Sequence, residues 1–159
     1  MARRLSTTTL VALAVAAGLL GSTASSTAAD SEVACAVTIA NGRMPRSGAG
    51  VNHGNGSLWV GLSRDGVTVP GHIGQDGSLL TKFPWYRGVR GRLRITGARL
   101  DAAAPAAVAD VPRGYGDRGF QASGIAFPSE GCWRVTGAVG RARLTFVTLV
   151  APPAPHPES

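Results

Sequence analysis

Short stretches in which apolar and polar residues alternate recur along the chain between residues 33 and 150. Leu58, Val60 and Leu62, for example, would fall on one face of an extended segment, because side chains alternate sides along a β-strand. Gly, Pro, Asn and Asp separate these stretches and are typical of tight turns. We predict strands over residues 33–39, 57–62, 67–69, 78–83, 91–96, 98–102, 119–127, 132–136 and 141–150.

The strand pattern predicts the fold class. No stretch repeats apolar residues with the 3.6-residue period of a helix, and Pro105 interrupts the alanine-rich candidate, residues 102–109. Residues 137–140, Gly-Ala-Val-Gly, would join the last two strands as a hairpin. About seven to nine short strands separated by turns predict an all-β antiparallel β-sandwich, with a small barrel as the alternative.

The N-terminal residues are typical of an export signal. Arg3 and Arg4 precede an uncharged apolar run, residues 10–20, and small residues follow up to Ala29. The run is shorter than the roughly 18 residues that span a bilayer, so an uncleaved membrane anchor is the less favoured alternative. We therefore predict a signal peptide over residues 1–29 and secretion to the extracellular side, with no transmembrane segment after cleavage.

Two cysteines and a positive charge characterise the remaining chain. Cys35 and Cys132 both follow the predicted signal, and two cysteines in an exported domain favour one disulfide over free thiols or a metal pair. Without Arg3 and Arg4, 14 of the 16 basic residues remain against 9 acidic ones, a net charge of +5. Such a charge attracts anionic surfaces without identifying one. We assign residues 30–150 to the β-domain and residues 151–159 to a disordered proline-rich tail.

The sequence contains no strong catalytic or metal-binding motif. A Gly-x-Ser-x-Gly elbow is absent, although Ser57, His53 and Asp65 could in principle form a triad. His72 and Asp76 are four residues apart, but the glycines around them indicate a loop. We predict no enzymatic activity, no cofactor and no metal site. A cleft that places His53 or His72 within reach of a carboxylate would instead favour an enzyme.

Aromatic and arginine residues between positions 83 and 94 form the candidate ligand-binding segment. Aromatic rings stack on sugars or bases, and guanidinium groups attract anions. The partner would be an anionic cell-wall polymer or a polysaccharide rather than nucleic acid. The alternative is structural, because arginines at every second position are typical of the solvent face of a strand, and the two rings could cap the core. The candidate residues are Trp85, Tyr86, Arg87, Arg90, Arg92 and Arg94.

The C-terminal half also resembles a known group of domains. Residues 127–137, Phe-Pro-Ser-Glu-Gly-Cys-Trp-Arg-Val-Thr-Gly, and residues 144–147, Leu-Thr-Phe-Val, look like the terminal hairpin of uncharacterised bacterial secreted and lipoprotein-like domains. Residues 55–59 and 114–120 fit the same group, so that the resemblance covers most of residues 33–150. The resemblance implies an immunoglobulin-like sandwich and brings no established activity. We therefore expect a secreted, non-enzymatic binding or structural module at the cell envelope, with a secreted hydrolase or hydrolase inhibitor as the alternative.

Overall fold

Strands form where apolar and polar residues alternate over the longest distances. The computed structural model describes residues 34–45 and 52–153, and within these ranges every regular element is a strand. In the strand that contains Gln121, Ile125 and Phe127, every second side chain is buried, which is the burial pattern of a strand with one face on a core. The strands are β1 (Asn52–Gly54), β2 (Leu58–Gly61), β3 (Val67–Thr68), β4 (His72–Ile73), β5 (Leu79–Arg87), β6 (Arg94–Arg99), β7 (Val108–Asp110), β8 (Gly119–Phe127), β9 (Gly131–Val139) and β10 (Ala142–Val150).

The strands make two sheets. A six-stranded sheet has the order β1-β2-β5-β8-β7, with β4 also paired to β5, and a four-stranded sheet has the order β3-β10-β9-β6. Neighbouring strands are antiparallel except β3 and β10, which are parallel. The prediction of an all-β fold is confirmed.

Large aromatic side chains join the two sheets through one core. Phe83 of β5 lies 5.2 Å from Phe146 of β10, measured between ring centroids, and Trp85 lies 6.1 Å from the same ring. Phe127 of β8 lies 5.2 Å from Trp133 of β9. All five rings are at most 5% exposed, and burying each side chain stabilises the fold by about 1.5–3 kcal/mol.

The strand predicted at residues 33–39 is wrong over the residues that the structure describes. Residues 34–40 are not in a strand. Their backbone turns on itself, because Val37 N donates to Cys35 O at 2.9 Å. One backbone hydrogen bond, from Thr38 N to Val147 O at 2.8 Å, attaches the segment to β10. A single bond of this kind does not make a strand ladder.

Two predicted strands, residues 91–96 and 98–102, are replaced by one strand, β6. The prediction interpreted Gly97 as a break, but the strand continues through it. A Cβ atom at Gly97 would lie 2.8 Å from the Cβ of Ala107, and Gly97 and Ala107 form an isolated antiparallel bridge. Gly97 therefore allows a close approach of two backbones, which is the other common role of glycine in a strand.

The predicted C-terminal hairpin is present with a shorter turn than expected. Residues 137–139 belong to β9, and Ala142 pairs with Val139, which leaves a two-residue turn. Gly140 is its first central residue and has φ = +57°, as a type II′ hairpin turn requires. The strands β1, β4 and β7 were not predicted; unlike residues 67–69, Val-Thr-Val, each of them contains at most one β-branched residue.

The predicted disulfide between Cys35 and Cys132 is confirmed, with a Cα–Cα distance of 5.4 Å across 97 residues of sequence. Asp101 supports its Cys132 end. One oxygen of this carboxylate accepts a hydrogen bond from Cys132 N at 2.9 Å, and the other accepts one from Arg99 Nε at 2.7 Å. The carboxylate therefore links β6 to the beginning of β9.

The predicted signal peptide, residues 1–29, lies outside the described residues and stays a prediction. The same holds for residues 154–159 of the predicted tail. All described residues belong to one unit, Glu32–Ser159.

We expect Cys35→Ser combined with Cys132→Ser to lower the free energy of unfolding by about 2–4 kcal/mol, because the bridge restricts the unfolded chain over a long loop. Urea unfolding of the double variant and of the wild type under reducing and non-reducing conditions would measure this. The reduced wild type should resemble the variant. Superimposable curves for oxidised wild type and variant would contradict the expectation.

We also expect Asp101 to make stability depend on acidity. The hydrogen bond from Arg99, helped by the Cys132 N–H, lowers the pKa of Asp101 below its usual 3.8, although burial opposes the shift. A lowered folded-state pKa contributes stability above the usual value, and the contribution is lost as the pH falls through the folded-state pKa. Asp101→Asn should therefore reduce stability at neutral pH and flatten the loss of stability below about pH 4. Asp110→Asn, which removes an exposed carboxylate without these bonds, is the control for urea titrations at several pH values. Parallel pH profiles for Asp101→Asn and wild type would contradict the assignment.

Candidate functional site

The six predicted ligand-binding residues do not form one surface. Trp85 and Arg87 are each 1% exposed and point into the protein, whereas Tyr86 between them is half-buried on the outer face of the six-stranded sheet. Tyr86 makes an edge-to-face contact with Trp59, with ring centroids 5.8 Å apart. The alternation of β5 thus separates the two rings onto opposite faces.

Trp85 is a central core residue. A Cβ atom at Gly137 of β9 would lie 2.4 Å from the Trp85 ring, so the indole occupies the space that any larger residue would need. Its Nε1 is buried and has no hydrogen-bond partner among the described residues. In this position Trp85 cannot touch a ligand on the outer surface.

The buried side chain of Arg87 connects the loop after β5 to the loop between β7 and β8. Its guanidinium donates to the Gly91 carbonyl at 2.9 Å, to the Tyr115 carbonyl at 2.7 Å and to the Gly116 carbonyl at 3.2 Å. Residues 88–92 and residues 111–118 are thereby held together. The ion pairs among the described residues are Arg90 with Asp117 and Arg99 with Asp101. No carboxylate of the described chain therefore pairs with the buried guanidinium of Arg87.

The remaining predicted arginines are exposed. Arg90 lies in the loop after β5, where its Nε is 3.8 Å from the Asp117 carboxylate. Arg92 and Arg94 lie on the same side of the chain, because the Leu93 between them is 1% exposed and points to the core. Only these two of the six residues therefore belong to one exposed sheet face.

Arg92 and Arg94 extend into a larger basic surface on the outer face of the four-stranded sheet. Pairing aligns Arg94 with Ala138 and Arg143 in one row, and the next row aligns threonines from β6, β9 and β10. Two of these threonines are hydrogen-bonded, with 2.9 Å between Thr136 Oγ1 and Thr145 Oγ1. We call this surface the arginine–threonine face; it comprises Arg92, Arg94, Thr96, Arg134, Thr136, Arg143 and Thr145.

Sequence reasoning missed Arg134 and Arg143 as members of this face. Each alternates with buried residues in its own strand, as Arg94 does, so the signal for exposure was present in the sequence. The alignment of these two arginines with Arg94 could not be predicted from the sequence, because it depends on which strands pair and in which register. A shallow depression of about 430 Å³ lies on the face, and Arg92, Arg94 and Arg143 contribute to its lining. None of the face's arginines pairs with a carboxylate of the described chain.

A cleft of about 310 Å³ lies beside this face, between the loops that Arg87 holds. We call it the loop cleft. The charged residues that line it are Arg87, Arg92, Arg113 and Asp117. Arg92 therefore belongs both to the loop cleft and to the arginine–threonine face.

The outer face of the six-stranded sheet carries a third concave feature, a groove of about 570 Å³. Lys82, Gly124 and Asp110 are aligned across β5, β8 and β7, so the glycine leaves a gap between a cation and a carboxylate. His72 and the 70% exposed Val108 also line the groove. Its charges are balanced, unlike those of the arginine–threonine face.

The residues considered for hydrolysis are not joined into a triad. Asp65 accepts a hydrogen bond from Val67 N at 3.0 Å, which is a turn contact, and no hydrogen bond links it to His53 or Ser57 within the described chain. Burial lowers the pKa of His53, although a hydrogen bond with the Ile39 backbone opposes the shift. Its Nδ1 has no partner among the described residues.

His72 lies in the short strand β4 rather than in the loop that the sequence predicted, and a turn contact holds the residues that follow it. Asp76 accepts hydrogen bonds from Ser78 N at 3.1 Å and from Ser78 Oγ at 2.6 Å. Across residues 34–45 and 52–153, no three His, Cys, Asp or Glu side chains come together in a way that could hold a metal ion.

Comparisons with protein-family models, with curated proteins and with solved structures find no match to the chain. In the part of the chain that the structure describes, no helix has the length and apolarity needed to cross a membrane.

We expect Trp85→Ala to lower the free energy of unfolding by about 3–5 kcal/mol, because it leaves a cavity at the centre of the core. Arg92→Ala, at the exposed end of the same candidate segment, should change it by no more than about 0.5 kcal/mol. Denaturant unfolding followed by circular dichroism measures both. Equal small effects would mean that Trp85 is not a core residue.

Proposed function

We propose that the protein is a secreted, non-enzymatic module that binds an anionic cell-wall polymer through the arginine–threonine face. The observation that carries this proposal is the presence of four arginines on one sheet face without a carboxylate partner in the described chain. Charges of both signs are normally interspersed on a soluble surface, whereas here the row next to Arg94 and Arg143 consists of threonines.

The geometry of the face suits a chain with repeated negative charges. Arg94 and Arg143 are in one row and two strands apart, so their backbones are separated by about 10 Å. Guanidinium groups bind carboxylates and phosphates through paired hydrogen bonds. The neighbouring row of threonine hydroxyls, which both donate and accept, suits the hydroxyl groups of sugars or alditols. A flat face of this kind favours an extended polymer over a small enclosed ligand.

The proposed location rests on two features of the chain. One is the charged, apolar and small-residue succession of residues 1–29, which is typical of a signal peptide. The other is the Cys35–Cys132 disulfide, because disulfides persist in oxidising compartments outside the cytoplasm.

Two further parts of the proposal have separate support. The two-sheet arrangement, together with the resemblance of residues 127–137 to secreted bacterial domains, supports an immunoglobulin-like sandwich. The non-enzymatic part rests on the sequence, which contains no strong catalytic motif.

We expect Arg94→Gln combined with Arg143→Gln to weaken binding to a phosphate-rich wall polymer at least about tenfold, because two charged contacts are removed. Binding is measured as retention on the immobilised polymer over a salt gradient, with neutral dextran as the reference matrix. The wild type should be retained and released by salt, since screening weakens attraction between exposed charges.

The matched control is Arg64→Gln combined with Arg118→Gln, which removes two exposed arginines outside the face. This variant has the same net charge as the first and should keep most of the affinity. If the two variants weaken binding equally, the net charge of the protein determines binding, and the proposed face is refuted. Release of low-molecular-weight products from the polymer would favour the hydrolase alternative.

A further inference from the structure

The loop cleft has a rigid floor that the arginine–threonine face lacks. The 1% exposed Arg87 donates to carbonyls of both loops, and Gly91 N donates to the Asp117 carbonyl at 2.8 Å. Gln121, 3% exposed, also lines the floor and donates to the Pro112 carbonyl at 3.1 Å. The two loops are thus fixed relative to each other before any ligand arrives, which reduces the entropy cost of binding.

The charge of the cleft is incompletely balanced. Three arginines and one aspartate line it, a formal charge of +2. Arg87 is buried with carbonyl oxygens as partners, and its Nε has no partner among the described residues. The Asp117 carboxylate is 64% exposed and lies toward Arg90 at the rim. A buried cation without a carboxylate is costly, and an anion in the cleft would compensate it.

The cations that line the cleft come from three different parts of the chain. Arg87 lies in the floor at the end of β5, Arg92 belongs to the wall before β6, and Arg113 belongs to the loop between β7 and β8. The lone pairs of a carboxylate lie in one plane, whereas a tetrahedral phosphate presents oxygens in several directions to cations that come from different elements. The arrangement of charges therefore favours phosphate.

We propose that the loop cleft binds a single phosphate group. Arg92 and Arg113 contact it directly, and Arg87 holds the loops and contributes its charge from below. The identity of the ligand as part of a polymer rests on the proposed function: because Arg92 lines both features, a polymer on the arginine–threonine face could place one of its phosphates in the cleft.

The first experiment titrates the protein with inorganic phosphate and follows backbone amide signals by NMR. Saturable shifts should concentrate at Gly114 and Gly116, whose amides belong to the cleft wall. Arg113→Gln should weaken phosphate binding about tenfold, and Asp117→Asn should strengthen it, because the variant removes a like charge from the cleft. Arg118→Gln, an exposed arginine in the same loop that does not line the cleft, should leave the affinity within about twofold.

Three results would overturn the inference: unchanged phosphate affinity in Arg113→Gln, weaker binding in Asp117→Asn, or an equal loss in Arg118→Gln. Amide spectra without ligand establish that each variant is folded. The variants change exposed loop side chains, so their unfolding midpoints should stay close to that of the wild type.

The second experiment separates this inference from the proposed function. Arg113→Gln should also reduce retention on the phosphate-rich polymer, while leaving retention on a polymer that carries carboxylates unchanged. If the wild type binds phosphate saturably but is not retained on either polymer, the cleft proposal stands and the polymer proposal is refuted. If retention depends on Arg94 and Arg143 but phosphate does not shift the amide signals of Gly114 and Gly116, the cleft proposal is refuted and the polymer proposal stands.

Discussion

The indole of Trp85 packs into the space left by Gly137, and this contact connects the two sheets at the middle of the core. Trp85 belongs to β5, the strand with the most neighbours in its sheet, and Gly137 belongs to β9, a central strand of the other. Because a side chain at position 137 would overlap the indole, the separation of the sheets depends on this glycine. Phe146 of β10, the strand paired with β9, lies 6.1 Å from the same indole and packs against it from the same sheet as Gly137. Interiors are close-packed, so a displaced indole would move both sheets.

The same strand also organises the loops at its end. The side chain of Arg87, two residues after Trp85, also points inward, and Arg87 is the last residue of β5. A hydrophobic residue there would fill space but could not bind the carbonyl groups of Gly91 and Tyr115. The guanidinium satisfies those carbonyls and brings an uncompensated charge with it. One residue thus produces both a rigid cleft and its preference for anions, which is why we connect a structural arginine with ligand binding.

Alternation in the sequence predicted the all-β class, and the two cysteines that follow the predicted export signal predicted the disulfide. Alternation also predicted that Arg92 and Arg94 would be exposed. The same alternation, applied to β5, places Trp85 and Arg87 on the face opposite Tyr86. Trp85 and Arg87 are buried because their face of β5 is the one that packs on the second sheet. Which face packs there depends on contacts between distant parts of the chain, and alternation does not predict it. Gly97 was interpreted as a break for the same reason, since its partner Ala107 lies ten residues away and outside any strand.

The arginine–threonine face is a consequence of pairing rather than of any motif. The strands β6, β9 and β10 each contribute one of its arginines, Arg92 precedes β6, and Arg143 is more than forty positions from Arg94. The antiparallel register places them in one row on either side of Ala138, whose small side chain leaves the depression open. Like charges in such a row repel one another, and the described chain supplies no carboxylate to relieve that repulsion. A surface of this kind is stabilised when an anionic partner neutralises it, which is the physical reason for assigning the binding function to this face.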